Sequence, residues 1–95
     1  MPEPRRIQRK RTKGYRAPQG AVYVGRPTAW GNQYSVDIHG REGAVEKFRD
    51  FMQRHPSFVE SVRRELAGRD LLCWCAPDAA CHADLLLAVA RGEEP

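Results

Sequence analysis

The chain has 95 residues, 41% of them hydrophobic and 29% charged, enough for one domain with a modest core. No apolar run approaches the roughly 20 residues that cross a bilayer, and the basic N-terminus has no apolar segment behind it, which argues against membrane insertion and against a secretory signal. A net charge of +4 suits an anionic partner better than a cationic one.

That charge is unevenly placed. Residues 1–16 carry Arg5, Arg6, Arg9, Lys10, Arg11, Lys13 and Arg16 against Glu3 alone, a net +6, while the rest holds nine basic and eleven acidic side chains, a net −2. Residues 1–19 therefore read as a flexible basic arm, and residues 20–92 as a single, nearly neutral domain. An arm of this kind meets nucleic-acid phosphates through Arg5, Arg6, Arg9, Lys10, Arg11 and Lys13 by counterion release, without reading sequence; a solvated tail is the plainer alternative.

After the arm, Ala-Val-Tyr-Val-Gly (Ala21 to Gly25) is a β-rich run bounded by glycines and predicts a strand buried on both faces. Arg-Pro-Thr-Ala-Trp-Gly-Asn follows as a loop. Tyr34 to Ile38 alternates weakly and reads as a short edge strand. Ala44, Val45, Phe48, Phe51 and Met52 fall on one face of a helix. Pro56 suits the first turn of the next helix, whose stripe is Phe58, Val59, Val62 and Leu66, with Gly68 placed as a C-terminal cap. Asp-Leu-Leu-Cys-Trp-Cys gives a second strand, Ala-Pro-Asp-Ala-Ala a loop, and the segment from Cys81 to Gly92 a final helix. Strands separated by helices run parallel. The expectation is a small α/β fold, a two-layer or three-layer sandwich with a short, largely parallel sheet and about three helices.

If the two good strands are neighbours, the loops after them emerge on one sheet edge, where α/β folds bind ligands. Gly25, Arg26, Trp30, Gly31 and Asn32 would then meet Cys73, Cys75, Cys81 and His82. Arg26 would hold a phosphate, Trp30 would stack on a base or else cap the core, and Asn32 would bond a base or sugar edge.

The cysteines admit three readings. Without export the thiols stay reduced. Cys73, Cys75, Cys81 and His82 offer three sulfurs and a nitrogen, a set suited to zinc, although the spacing is not that of a zinc knuckle and adjacent Cys81 and His82 diverge on a helix. A helix start favours a thiolate at Cys81, with His82 as acid or base, Cys73 beside them, and Asp78 or Asp84 as orienters. Free cysteines also simply pack well in a strand-to-helix corner.

The blocks Val-Tyr-Val-Gly-Arg…Trp-Gly-Asn and Cys-Trp-Cys…Cys-His, at Val22 to Asn32 and Cys73 to His82, resemble the family of small bacterial and phage proteins named domain of unknown function 4326, over about residues 20–91. The resemblance implies that the two loops are the family's signature and brings no activity with it. A weaker likeness to another uncharacterised group lacking the equivalent of Cys75 shifts the balance from metal toward an active or ligand site on Cys73, Cys81 and His82. The resulting expectation is a cytoplasmic domain that binds a nucleotide or nucleic-acid-derived ligand, with transfer or hydrolysis as the reaction class to test if it is an enzyme, a point the sequence leaves open. The alternative is a non-enzymatic, zinc-clipped accessory module that binds DNA or a host protein through its arm.

Overall fold

A computed structural model describes residues 3–76 and 78–95. Met1 and Pro2 of the expected arm and Pro77 of the expected loop lie outside the described residues. The elements in chain order are β1 (Arg6–Gln8), β2 (Val22–Tyr23), α1 (Val36–His39), α2 (Arg41–Arg54), α3 (Pro56–Glu65), β3 (Leu71–Cys73) and α4 (His82–Ala90). The fold is thus mixed α/β, as expected, with three parallel strands in the order β1-β3-β2 and four helices. None of those helices is long and apolar enough to cross a membrane.

β3 is central and buried throughout: Leu71, Leu72 and Cys73 are each at most 4% exposed. It pairs with β2 through Val22↔Leu71 and Tyr23↔Leu72, so the two good strands are parallel neighbours. On its other side, β3 pairs with a strand drawn from the basic segment, Arg6↔Leu71, Ile7↔Leu72 and Gln8↔Cys73. The Arg9 N–H donates to the Cys73 carbonyl at 2.7 Å, and the Leu71 N–H to the Arg5 carbonyl at 3.0 Å. The boundary drawn at residue 19 therefore cuts off one strand of the sheet. Arg-Ile-Gln, with one apolar residue among charges, gave no hydrophobic pattern to betray it.

A second difference lies at Tyr34 to Ile38, where the expected edge strand is replaced by helix α1. The Ser35 side chain accepts a hydrogen bond from the Asp37 N–H and caps the helix, with Asp37 in its first turn. Capping chemistry outweighs a weak alternation over so few residues. Gly40 then takes a left-handed φ of 73°, which turns the chain into α2 at little steric cost because the residue has no Cβ.

The helix readings hold for α2, α3 and α4. Phe48 and Met52 of α2, Val59 and Val62 of α3, and Leu85, Leu86 and Val89 of α4 enter one core with Val24, Leu71 and Cys73. α4 contacts β1 and β3, and α2 and α3 lie against α4 and each other. At about 25 cal/mol per Å² of buried apolar surface, such a shared core is the main stabilising element. Its consequence for function is positional: it fixes the carboxyl ends of β2 and β3 against the N-terminus of α4.

Candidate functional site

At that edge lies a cleft of about 280 Å³, lined among others by Tyr23, Arg26, Arg41, Trp74, Cys81 and His82, a size that suits one small ligand or part of a larger one. Gly25, Asn32, Cys73 and Cys75 also line it. The two loops expected to meet do meet.

Cys73, Cys75 and Cys81 converge, with their sulfurs all within 4.8 Å of one another. Cys73 ends β3, shorter than the strand expected through Cys75, and the bend that follows it carries Cys75 back beside the same sulfur cluster. Cys81 arrives from across the cleft as the residue preceding the first turn of α4, in an extended conformation with φ −150°. These three thiols could hold a metal ion. His82 does not join them. Its ring turns into the core, where it is 8% exposed and meets the Phe48 ring edge-on at 5.3 Å between centroids.

The orientation of that ring defines its chemistry. His82 Nε2 lies 2.9 Å from the Val24 carbonyl oxygen, which can only accept, so Nε2 carries a proton. In the neutral ring Nδ1 is then an acceptor, and it lies 3.7 Å from Cys81 Sγ. The expected carboxylate orienters play no part here. Asp78 is exposed, Asp84 pairs with Arg6 at 3.4 Å, and a backbone carbonyl orients the histidine instead.

The cluster favours negative charge on Cys81 over its neighbours. The Cys73 thiol donates to the Cys81 sulfur and holds the Cys81 thiol well below its ordinary value against the opposing effect of burial, with His82 and the Ala83 N–H adding to the shift. No side-chain hydrogen bond caps α4, and Cys81 lines the cleft while only 3% exposed. The same hydrogen bond to Cys81, together with burial, pushes Cys73 up. Burial, then the hydrogen bond to Cys81, pushes Cys75 up, although Arg41 Nη1, 3.5 Å from its sulfur, works against this.

Arg6 supplies the countercharge. Its side chain is only 9% exposed; Nη2 donates to the Ala76 carbonyl at 3.2 Å. Burial disfavours its charge, but hydrogen bonding to Cys81 and the Asp84 carboxylate more than compensate. A residue read from the sequence as one of a basic arm's phosphate contacts thus belongs to the cysteine cluster. The fold signal that would have found it is the strand, and the strand was not legible.

The first loop is placed only partly as expected. Arg26 is exposed at the cleft, its Nε donating to the Asn32 carbonyl at 2.8 Å. Gly31 lets the loop close, since a Cβ there would lie 3.1 Å from the Arg26 backbone. Trp30 does not face the cleft. Successive turns, Thr28 N–H to the Gly25 carbonyl and Gly31 N–H to the Thr28 carbonyl, send it to the far side, where its ring packs on Phe58 with centroids 5.8 Å apart. This corrects its role as a base-stacking residue. Asn32 is likewise occupied: its amide donates to the Ala44 carbonyl at 3.0 Å and accepts from the Tyr34 N–H at 2.9 Å, tying the loop to α2.

Aromatic surface at the cleft comes instead from Tyr23 and Trp74. The Trp74 indole N–H donates to the Tyr23 hydroxyl at 2.9 Å, and that hydroxyl donates to the Arg26 carbonyl at 2.8 Å. Gly25 makes room for this arrangement, since a Cβ there would collide with the Tyr23 ring. Arg9 lies over both rings, 4.7 Å from the Tyr23 centroid and 5.0 Å from that of Trp74, and Arg11 lies 4.4 Å from Trp74. Arg5, Lys10 and Lys13 are exposed; the Arg5 backbone N–H donates to the Asp70 carboxylate at 3.0 Å.

Residues 7–92 match the family described as Domain of unknown function (DUF4326). No curated protein and no solved structure matches the chain.

Proposed function

The chain belongs to the DUF4326 family, whose description assigns no activity, and from its strand-end cleft we propose a thiol-dependent site that binds a nucleotide or nucleic-acid-derived ligand and transfers or hydrolyses a group on it. The observation that carries this reading is the placement of Cys81 at the head of α4, in the cleft, between the buried Arg6 guanidinium and His82 Nδ1. A sulfur with an acceptor for its proton, a nearby cation and the first turn of a helix is an activated nucleophile.

In this reading, Arg26 and Arg41 meet the anionic part of the ligand at the open side of the cleft. Tyr23 and Trp74 offer aromatic surface to a base. The Cys81 thiolate attacks the electrophilic centre; an S–ligand bond forms as the bond to the leaving group breaks, and water or a second acceptor then releases the transferred group. Arg6 and the Cys73 thiol hold the charge on sulfur before attack and when the sulfur departs. Free thiols of this kind require a reducing compartment such as the cytoplasm.

The test is a binding and turnover screen with nucleosides, nucleotides and short nucleic acids against the wild-type chain and Cys81→Ser. Binding by both, with turnover by the wild type alone, is the expected result. Failure of every such compound to bind or react would refute the reading.

A second reading has its own support in the three sulfurs within 4.8 Å. A zinc ion bonded to three thiolates at about 2.3 Å would leave its fourth position toward the cleft. Elemental analysis of untagged protein decides: one tightly held zinc per chain makes Cys81 a ligand rather than a nucleophile, and its absence after zinc-supplemented purification removes this reading.

A further inference from the structure

The surface that closes the cleft on the side of β1 is not used by the cysteine chemistry. Trp74 is 38% exposed although large aromatic rings are ordinarily buried. It follows the last residue of β3 and lines the cleft beside Cys73 and Cys75, its ring edge-on to Tyr23 at 6.4 Å between centroids, with the indole N–H bonded to the Tyr23 hydroxyl. That bond fixes the indole plane. Two guanidinium groups, from Arg9 and Arg11, lie against it, and Lys10 and Lys13 are exposed on the same segment.

We propose that Trp74, Tyr23, Arg9 and Arg11 form a binding surface for single-stranded nucleic acid, so that the cleft receives one nucleotide of a longer strand rather than a free mononucleotide. The inference rests on the reading of the cleft given above only for the nucleotide that enters it.

The chemistry is that of strand-tracking surfaces: an aromatic face for a base and flanking cations for the backbone, with no dependence on sequence. A base that stacks on Trp74 displaces a guanidinium which already lies over that ring, and the displaced cation finds the phosphates on either side of the same base. Both partners of the cation–π contact are thereby satisfied in the complex. A duplex does not fit, because its bases are stacked on one another and the ring can only meet an unstacked one. A lone nucleotide small enough for the 280 Å³ cleft has no second phosphate for the Arg9–Lys13 segment, which leaves that charge without a use.

The chain has two tryptophans, and Trp30 packs on Phe58 away from this surface, so Trp30→Phe leaves Trp74 as the only indole fluorophore. That variant is titrated with oligothymidylate, oligouridylate, thymidine monophosphate, uridine monophosphate and a short duplex. Expected are quenching of Trp74 by one or both oligonucleotides and, read by the anisotropy of end-labelled oligonucleotides, weaker binding by about 10–100-fold in Trp74→Ala with partial recovery in Trp74→Phe, and a salt dependence that falls by about two phosphate contacts in Arg9→Gln/Arg11→Gln. The DNA and RNA strands separate the two sources of the same backbone. Unchanged Trp74 emission with every oligonucleotide, or duplex binding as tight as single-strand binding, overturns the proposal. So does mononucleotide binding as tight as that of the oligonucleotides and indifferent to these substitutions, although the cysteine site would then stand with a free nucleotide as its ligand.

Discussion

Deleting residues 1–10 removes β1 and leaves β3 with one neighbour. The deletion takes away the two backbone hydrogen bonds that flank the strand, to Leu71 and from Arg9, together with the Arg5 N–H bond to the Asp70 carboxylate. At about 1 kcal/mol for each neutral bond and about 1.5–3 kcal/mol for the one to a charged group, that is about 3.5–5 kcal/mol before any newly exposed surface of Leu72 and Cys73 is counted. A 95-residue domain has about 5–14 kcal/mol of stability in all. With about 4–8 °C of Tm per kcal/mol at this size, the truncated chain should melt at least about 14 °C lower, as followed by far-ultraviolet circular dichroism. Arg9→Gln/Arg11→Gln is the control, because it keeps the strand and loses only exposed cation–π contacts worth about 1–2 kcal/mol together. A truncated protein that melts within about 3 °C of the full chain would show that the segment is a tail and not a strand, and Arg6 would lose its place in the cluster with it.

Arg6→Met keeps the length of the side chain and removes its charge from beside Cys81, so the midpoint of the pH profile for alkylation of Cys81 by iodoacetamide should move up by about one pKa unit, the lost thiolate stabilisation; peptide mapping by mass spectrometry identifies the modified thiol, and an unchanged midpoint would separate Arg6 from the sulfur. Because Cys81 is held below its ordinary value, its wild-type reactivity should persist well below pH 7, whereas Cys73 and Cys75, both raised, should resist modification until the chain unfolds. His82→Ala should cost about 2–4 kcal/mol in chemical denaturation, since it leaves the buried Val24 carbonyl unpaired and a gap beside Phe48; full stability would show that the carbonyl finds another donor. Gly25→Ala should cost about 1–3 kcal/mol by forcing Tyr23 aside and, in the Trp30→Phe background, should shift the emission of Trp74 by breaking its bond to the Tyr23 hydroxyl; an unshifted spectrum would argue against that bond.

What could be read from the residues divides by the kind of signal they carry. The buried central strand, the three amphipathic helices and the meeting of the two loops followed from apolar patterning and from the rule that parallel neighbours share an edge, whereas β2, expected to be buried on both faces, is a half-buried edge strand of two residues because β1 and not another element takes the far side of β3. β1 was hidden because its three residues have partners rather than a pattern: Arg6, Ile7 and Gln8 are ordered by the edge of β3. α1 was hidden behind a weak alternation that the Ser35 cap outweighs. At the site, the cysteines were visible as a cluster because they fall close together in the chain at a strand end and a helix start, but the turning of His82 into the core and of Trp30 toward Phe58 depends on tertiary packing that spacing does not encode. Trp74 and Arg6 exchanged roles with Trp30 and the arm for the same reason. A side chain's type announced the chemistry, and the backbone beneath it decided where that chemistry was delivered.

The strand order β1-β3-β2 bears on how the molecule is made. Neither of the first two strands touches the other; each waits for β3, and Arg5 meets Asp70 across a sequence separation of 65. On a ribosome no part of the sheet can form until β3 has emerged, about 60 residues after β1. Assembly of the sheet is therefore late and governed by long-range pairing, which is slow relative to helix formation. Until then β1 and β2 are exposed edges without a template, and the charges of the first sixteen residues guard the earliest of them against pairing with another chain.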